Sequence, residues 1–239
     1  MMPGPDQIIA CPKCKRMARY MTLASGNTLD ARVWTDGKMI APMLPLPPTV
    51  VKCHHCAELY WRTEAEQIGI VDRWRGTGEQ VNPTWADAPK VEEPTESEYY
   101  QALAKGLAKD AKQERVLRVL AWRRRNDVFR DKPLKEAQGT SDNPVEWRKN
   151  LEALARLLTE EDVNDCLTKA EVLRELGKFE SAKQVLNHAT STDGAAVVRQ
   201  LRSLCDAGDP CVRELHSSPS RITLAQAFAG VLSKIGLGR

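Results

Sequence analysis

The chain has 239 residues, 42% hydrophobic and 28% charged, with a formal net charge of +3. That length suits one large domain or two modest ones, and the near-neutral balance excludes a strong overall field of either sign. No run of about eighteen apolar residues occurs, so no membrane-spanning helix and no membrane partner are expected.

The opening MMPGPDQIIACPKCK has no basic stretch followed by an apolar one, and a cytoplasmic location is expected by default. Seven cysteines fit that compartment. Four fall in two C-x-x-C pairs, whereas a secreted disulfide scaffold would be shorter and carry an even count.

Residues 8–62 read as strands and turns. ARVWTDGKMIA (31–41) is a predicted hairpin, with Asp36-Gly37 supplying the positive φ of a tight turn, and Ser25-Gly26-Asn27 is a second turn signal. Four prolines between Pro42 and Pro48 exclude helix and central strand, leaving an extended connector to the second cysteine pair. Thr63-Glu64-Ala65-Glu66 is a capping-box signature and predicts a short helix. Residues 72–94 are rich in Gly, Pro and Trp without a period and read as a linker, part of which packs through Trp74 and Trp85.

From Thr95 the pattern is helical. Thr95-Glu96-Ser97-Glu98 is a second capping box, and Leu103, Leu107, Val116, Leu117 and Leu120 keep helical spacing to about residue 130. Asn143-Pro144 opens the next helix, whose apolar face is Trp147, Leu151, Leu154 and Leu158. Further helices are expected over about 160–176, stopping at Gly177, then 179–189 and 195–207, a short one from Asp209-Pro210, and a terminal one over 224–235. Short turns between them imply antiparallel neighbours. The expected fold class is α+β: a small β module over 1–71, a linker over 72–94 and an all-α helical-hairpin domain over 95–239.

Cys11, Cys14, Cys53 and Cys56 are the candidate metal ligands. A C-x-x-C knuckle turns two sulfurs toward one point, and two knuckles complete the four thiolates that zinc prefers. The alternatives are a redox dithiol, free buried cysteines, or iron in the same sulfur cage; the strand-like flanks disfavour a redox pair, which sits at a helix N-terminus. His54 and His55 in the second knuckle are competing ligands. The pattern resembles a zinc ribbon over roughly residues 8–62, which implies one structural Zn2+. Ribbon knuckles usually carry Gly after the second cysteine. Here Lys15 and Ala57 stand there and must accept left-handed backbone.

The positive charge is concentrated: residues 101–135 hold eleven Lys and Arg against four Asp and Glu. Arg115, Arg118, Trp122 and Arg125 share one helical stripe, a candidate nucleic-acid contact through phosphate pairing and base stacking. The competing reading is a charged helix face whose apolar side meets the core.

Residues 166–189 resemble a single tetratricopeptide repeat through Ala170, Leu173, Gly177, Phe179, Ala182 and Ala189, with Cys166 where the repeat's tryptophan is expected. As a whole the chain resembles an uncharacterised bacterial family, which implies architecture and no chemistry. No G-x-S-x-G, P-loop, H-E-x-x-H or G-x-G-x-x-G motif occurs. The expected function is a non-enzymatic, zinc-binding adaptor whose partner is another protein. The alternative is a nucleic-acid-binding or regulatory protein using the ribbon and the helix at 112–130.

Overall fold

The computed structural model describes residues 1–72, 82–130, 144–189 and 194–216. In chain order the strands are β1 (Met2–Ala10), β2 (Met17–Ser25), β3 (Arg32–Val33), β4 (Met39–Ile40), β5 (Val50–Lys52), β6 (Leu59–Trp61) and β7 (Glu66–Val71). The helices are α1 (Pro83–Ala86), α2 (Glu96–Ala104), α3 (Ala111–Asn126), α4 (Pro144–Leu157), α5 (Val163–Glu175), α6 (Phe179–Val185) and α7 (Ala195–Asp206). The class is α+β, a small antiparallel β region followed by helices. Two compact units result: Met1–Ala31 with Ala41–Glu98, and Arg32–Ile40 with Tyr99–Arg239.

In the first unit β1 is the middle strand of a three-stranded antiparallel sheet ordered β2-β1-β7. Successive strand residues face opposite sides, and β1 buries both: Ile8 packs with Val71 and Ala88, and Ile9 with Ala18, Val51 and Tyr60. The strands β5 and β6 form a separate hairpin. Residues 89–92 strap the two hairpins together. Arg19 N–H donates to the Pro89 carbonyl and Val91 N–H to that of Arg19, while Lys52 N–H donates to the Glu92 carbonyl. That strap lies in the stretch read as linker. There too, Trp85 packs so closely on β7 that a Cβ on Gly69 would sit 2.6 Å from its ring. Trp74 is outside the described residues.

The first departure from expectation follows β6. The capping box at 63–66 gives a single 3-10 turn, Arg62–Glu64, and the chain then enters β7 instead of a helix. The residues that follow include three β-branched ones, Ile68, Ile70 and Val71, and pairing with β1 satisfies the backbone groups of the segment. Four residues of local signal lose to a six-residue strand.

The capping box at 95–98 does form. Thr95 N–H donates to the Glu98 carboxylate (2.9 Å), and Glu98 N–H to Thr95 Oγ1 (3.3 Å). The apolar period then breaks. Gly106, at φ +72°, ends α2, and Asp110 restarts the chain as N-cap of α3, accepting from Gln113 N–H at 2.7 Å.

In the second unit α5 carries Asp162 as N-cap and ends at Gly177 (φ +75°). There Gly177 N–H reaches the Arg174 carbonyl and Lys178 N–H that of Leu173, the paired closing bonds of a Schellman motif. Ala170 and Ala182 are buried in the α5–α6 hairpin. Asp209-Pro210 starts no helix. The Asp209 carboxylate accepts from Cys211 N–H (2.8 Å) and Arg213 Nε (2.7 Å), and the chain runs on extended. Asn143 and the terminal segment 224–235 lie outside the described residues.

The hairpin β3–β4 forms as expected, with Gly37 at φ +72°. It clusters, however, with the helices. Val33 enters their core beside Leu167, Leu201 and Leu215. Residues 213–215 run along its outer edge: Thr35 N–H donates to the Arg213 carbonyl, Leu215 N–H to that of Val33, and Arg32 pairs with Glu214 at 2.6 Å. No described helix is long and apolar enough to cross a membrane.

Candidate metal centre

Each cysteine pair occupies the tip of a hairpin. The β1–β2 ladder closes at Ala10 opposite Met17, and the β5–β6 ladder at Lys52 opposite Leu59, so both loops span the same number of residues. Their backbone bonding is also the same. Cys11 N–H donates to the Arg16 carbonyl and Lys15 N–H to that of Cys11, while Cys53 N–H donates to Glu58 and Ala57 N–H to Cys53, all at 2.9 Å. Lys15 and Ala57 take φ of 60° and 55°, the left-handed backbone that the spacing requires of them. An L-residue pays roughly 1–2 kcal/mol for that conformation.

The four sulfurs lie within 4.8 Å of one another, and this is the one such group of metal-ligating side chains among the described residues. Cys11 and Cys56 Sγ are 3.8 Å apart, and Cys14 and Cys53 Sγ 3.6 Å. A disulfide needs about 2.05 Å. Four sulfurs at about 2.3 Å from a tetrahedral zinc ion stand about 3.8 Å apart. The donor set thus fits a tetrahedral thiophilic ion. Neither histidine joins it: His54 contacts the Lys90 carbonyl through Nε2 (2.6 Å) and Glu92 through Nδ1 (3.4 Å).

The thiols differ in acidity. At Cys53 burial opposes ionisation, but the backbone N–H groups of Cys56 and His55 outweigh it and draw the pKa down to about 7. At Cys56 the Glu58 N–H favours the thiolate. Burial and the neighbouring thiols prevail there, pushing the pKa up to about 12. Burial also raises Cys11. Four thiolates so close together are stable only around a cation, and loading the site releases protons. Tyr60 packs against the cluster. Burial and the sulfurs hold its phenol above the ordinary value, and its hydroxyl has no hydrogen-bond partner among the described residues.

The stripe on α3 is engaged inside the second unit. Arg115 forms an ion pair with Asp165 of α5. Arg118 pairs with Glu114 (2.7 Å) and reaches Asn150 of α4. Arg125 lies over the rings of Trp147 (5.0 Å) and Phe129 (5.7 Å). Trp122 is fully buried and donates its indole N–H to Glu175 at 2.7 Å, so it offers no face to a base. Of the two readings of this stripe, the burial of Trp122 favours the core role, because an indole with a buried acceptor gains more from the interior than from solvent.

A buried ionic network went unread in the sequence. Asp36, at the tip of the β3–β4 hairpin, is 2% exposed; its carboxylate accepts from Arg130 (2.6 Å), Asn126 (3.1 Å) and Lys38 N–H (3.0 Å). Burial works against its charge, yet the Arg130 guanidinium outweighs it and holds the carboxyl below the usual range. On α5, Glu171 and Arg174 pair at 2.6 Å with both side chains fully buried. Arg174 also donates to the carbonyls of Asp209 and Cys211. The available signal was charged residues at 171, 174 and 175, three and four apart along one face of the expected helix.

Comparison with family models, with curated proteins and with solved structures gave no match to this chain.

Proposed function

We propose that Cys11, Cys14, Cys53 and Cys56 hold one structural Zn2+, and that the protein is a non-enzymatic adaptor binding another protein through its helical unit. The observation that carries the metal reading is the pair of inter-knuckle sulfur distances, 3.6 and 3.8 Å, beside the edge expected around tetrahedral zinc. Four protein thiolates fill such an ion's coordination. No position remains for water or substrate, so zinc supplies folding energy here and no reaction centre.

The adaptor reading draws on the helical hairpin α5–α6 and its likeness to a tetratricopeptide unit, since stacked helical hairpins commonly present partner surfaces. It gains weight because Arg115, Arg118 and Arg125 already have partners on neighbouring helices, Asp165, Asn150 and Trp147.

Metal analysis of protein purified without chelators tests the first half. One zinc per chain is expected, lost in Cys53→Ser; protein that is folded and metal-free, or iron-loaded, sinks it. A gel-shift series with mixed DNA and RNA tests the second. Binding that weakens steeply with salt and vanishes on charge reversal at Arg118 and Arg125 would replace the adaptor with the nucleic-acid reading.

A further inference from the structure

A cavity of about 140 Å³ lies within the second unit, its walls drawn from α3, α4, α5 and the extended chain at 210–212. At roughly 30 Å³ per water it holds a handful of waters or one very small organic molecule. Three features of its lining point to the same kind of guest. Trp147 lines it, and the indole Nε1–H of that residue is buried with no acceptor among the described residues. A desolvated donor in this state gains from any oxygen brought to it. Beside it stands a positive charge: the Arg125 guanidinium, over the Trp147 and Phe129 rings. The one acidic group among the described wall residues, Glu175, is already engaged, Oε1 accepting from Asn126 (2.9 Å) and Oε2 from Trp122 (2.7 Å).

We propose that this cavity binds a small aliphatic carboxylate, of acetate to butyrate size, whose oxygens accept from Trp147 Nε1–H beside Arg125 while its carbon chain rests on Phe129. An anion fits better than a cation because the unengaged donor and the guanidinium both favour negative charge. Repulsion from Glu175 is weakened, because both its oxygens are occupied by N–H donors and burial, reinforced by the nearby Glu171, holds that carboxyl above its usual range. The site is separate from the cysteine cluster, and the proposal stands whether or not the metal reading holds.

The test uses the full-length, metal-loaded protein labelled with 15N, the Trp147 indole signal being assigned by triple-resonance spectroscopy. Sodium acetate, propanoate and butyrate are titrated against sodium chloride at matched ionic strength. A saturable shift of that one indole signal is expected with the carboxylates and none with chloride. Trp147→Phe keeps a ring and removes the donor, and should weaken binding roughly tenfold in ligand-observed saturation transfer. Arg125→Met should do the same, and serves if the first variant does not fold. Equal shifts with chloride, shifts that never saturate, or unchanged carboxylate binding in whichever of the two variants folds would overturn the proposal and leave the cavity to water.

Discussion

The two units solve the same problem with opposite chemistry. In the first, the β5–β6 hairpin has only three residues a side. A two-stranded hairpin alone is marginal in water. Its hairpins converge on four sulfurs, so a cation bound there acts as a crosslink whose binding energy is folding energy. The second has apolar clusters along α4, α5 and α7 and places an ionic network among them. Asp36, Arg130, Glu171 and Arg174 contribute little net stability relative to apolar residues, yet each is costly to leave without its partner. One unit depends on an ion taken from solution. The other depends on charges its own chain brings together.

Three perturbations test that contrast. The largest effect should come from metal removal, since structural zinc carries an apparent binding free energy of about 10–16 kcal/mol in small domains. Chelation, or Cys53→Ser, should abolish amide protection over 2–25 and 50–71 in hydrogen exchange. Helical circular dichroism should largely remain. If the sheet stays protected in metal-free protein, the crosslink is not what holds it.

Next in size is Asp36→Ala, which leaves the buried Arg130 guanidinium only its Asp127 partner (2.9 Å) and should destabilise the helical unit by up to about 3–5 kcal/mol in urea unfolding, at unchanged metal content. The pH dependence has a definite sign. A folded carboxyl held below its unfolded value of about 3.9 contributes stability above that pH and loses it as pH falls through the folded value. The gap between wild type and variant should therefore be full at neutral pH and shrink in acid. A gap that widens below about pH 4 contradicts the Asp36–Arg130 pair.

The smallest expected effect runs against habit. Ala57→Gly should stabilise the first unit by about 1 kcal/mol, because Ala57 stands at positive φ where glycine is unstrained. A raised thermal midpoint of the metal-loaded protein would show it; an unchanged or lowered one would mean the knuckle does not require that conformation.

The contrast also explains what was legible in the sequence. The cysteine cluster could be read because its parts are chemically distinctive and each half is local: two residues between ligands, hairpin flanks, and even the awkward Lys15 and Ala57 follow from the spacing. The two capping boxes show the limit of local reading. Thr95–Glu98 leads into Tyr-Tyr-Gln-Ala-Leu-Ala and forms its helix, while Thr63–Glu66 leads into Ile-Gly-Ile-Val and is captured by β1. The ionic network was invisible for a stronger reason. Asp36 looks like a turn residue and Arg130 like one more surface arginine, and only a pairing across 94 residues reveals what either is for.

That distance bears on how the chain acquires its structure during synthesis. The β3–β4 hairpin emerges from the ribosome early, but its anchors arrive late: Arg130 first, then the 213–215 edge, with Arg32 and Glu214 separated by 182 positions. Until then the hairpin has its own turn and no docking surface. Closing so long a loop is slow, because chain entropy is lost before the contacts repay it. The nascent helices therefore wait for one of the earliest segments and one of the latest described before their core is complete. A chain cut short before residue 213 would leave Val33 and Thr35 without their edge, a species open to aggregation and to proteolysis.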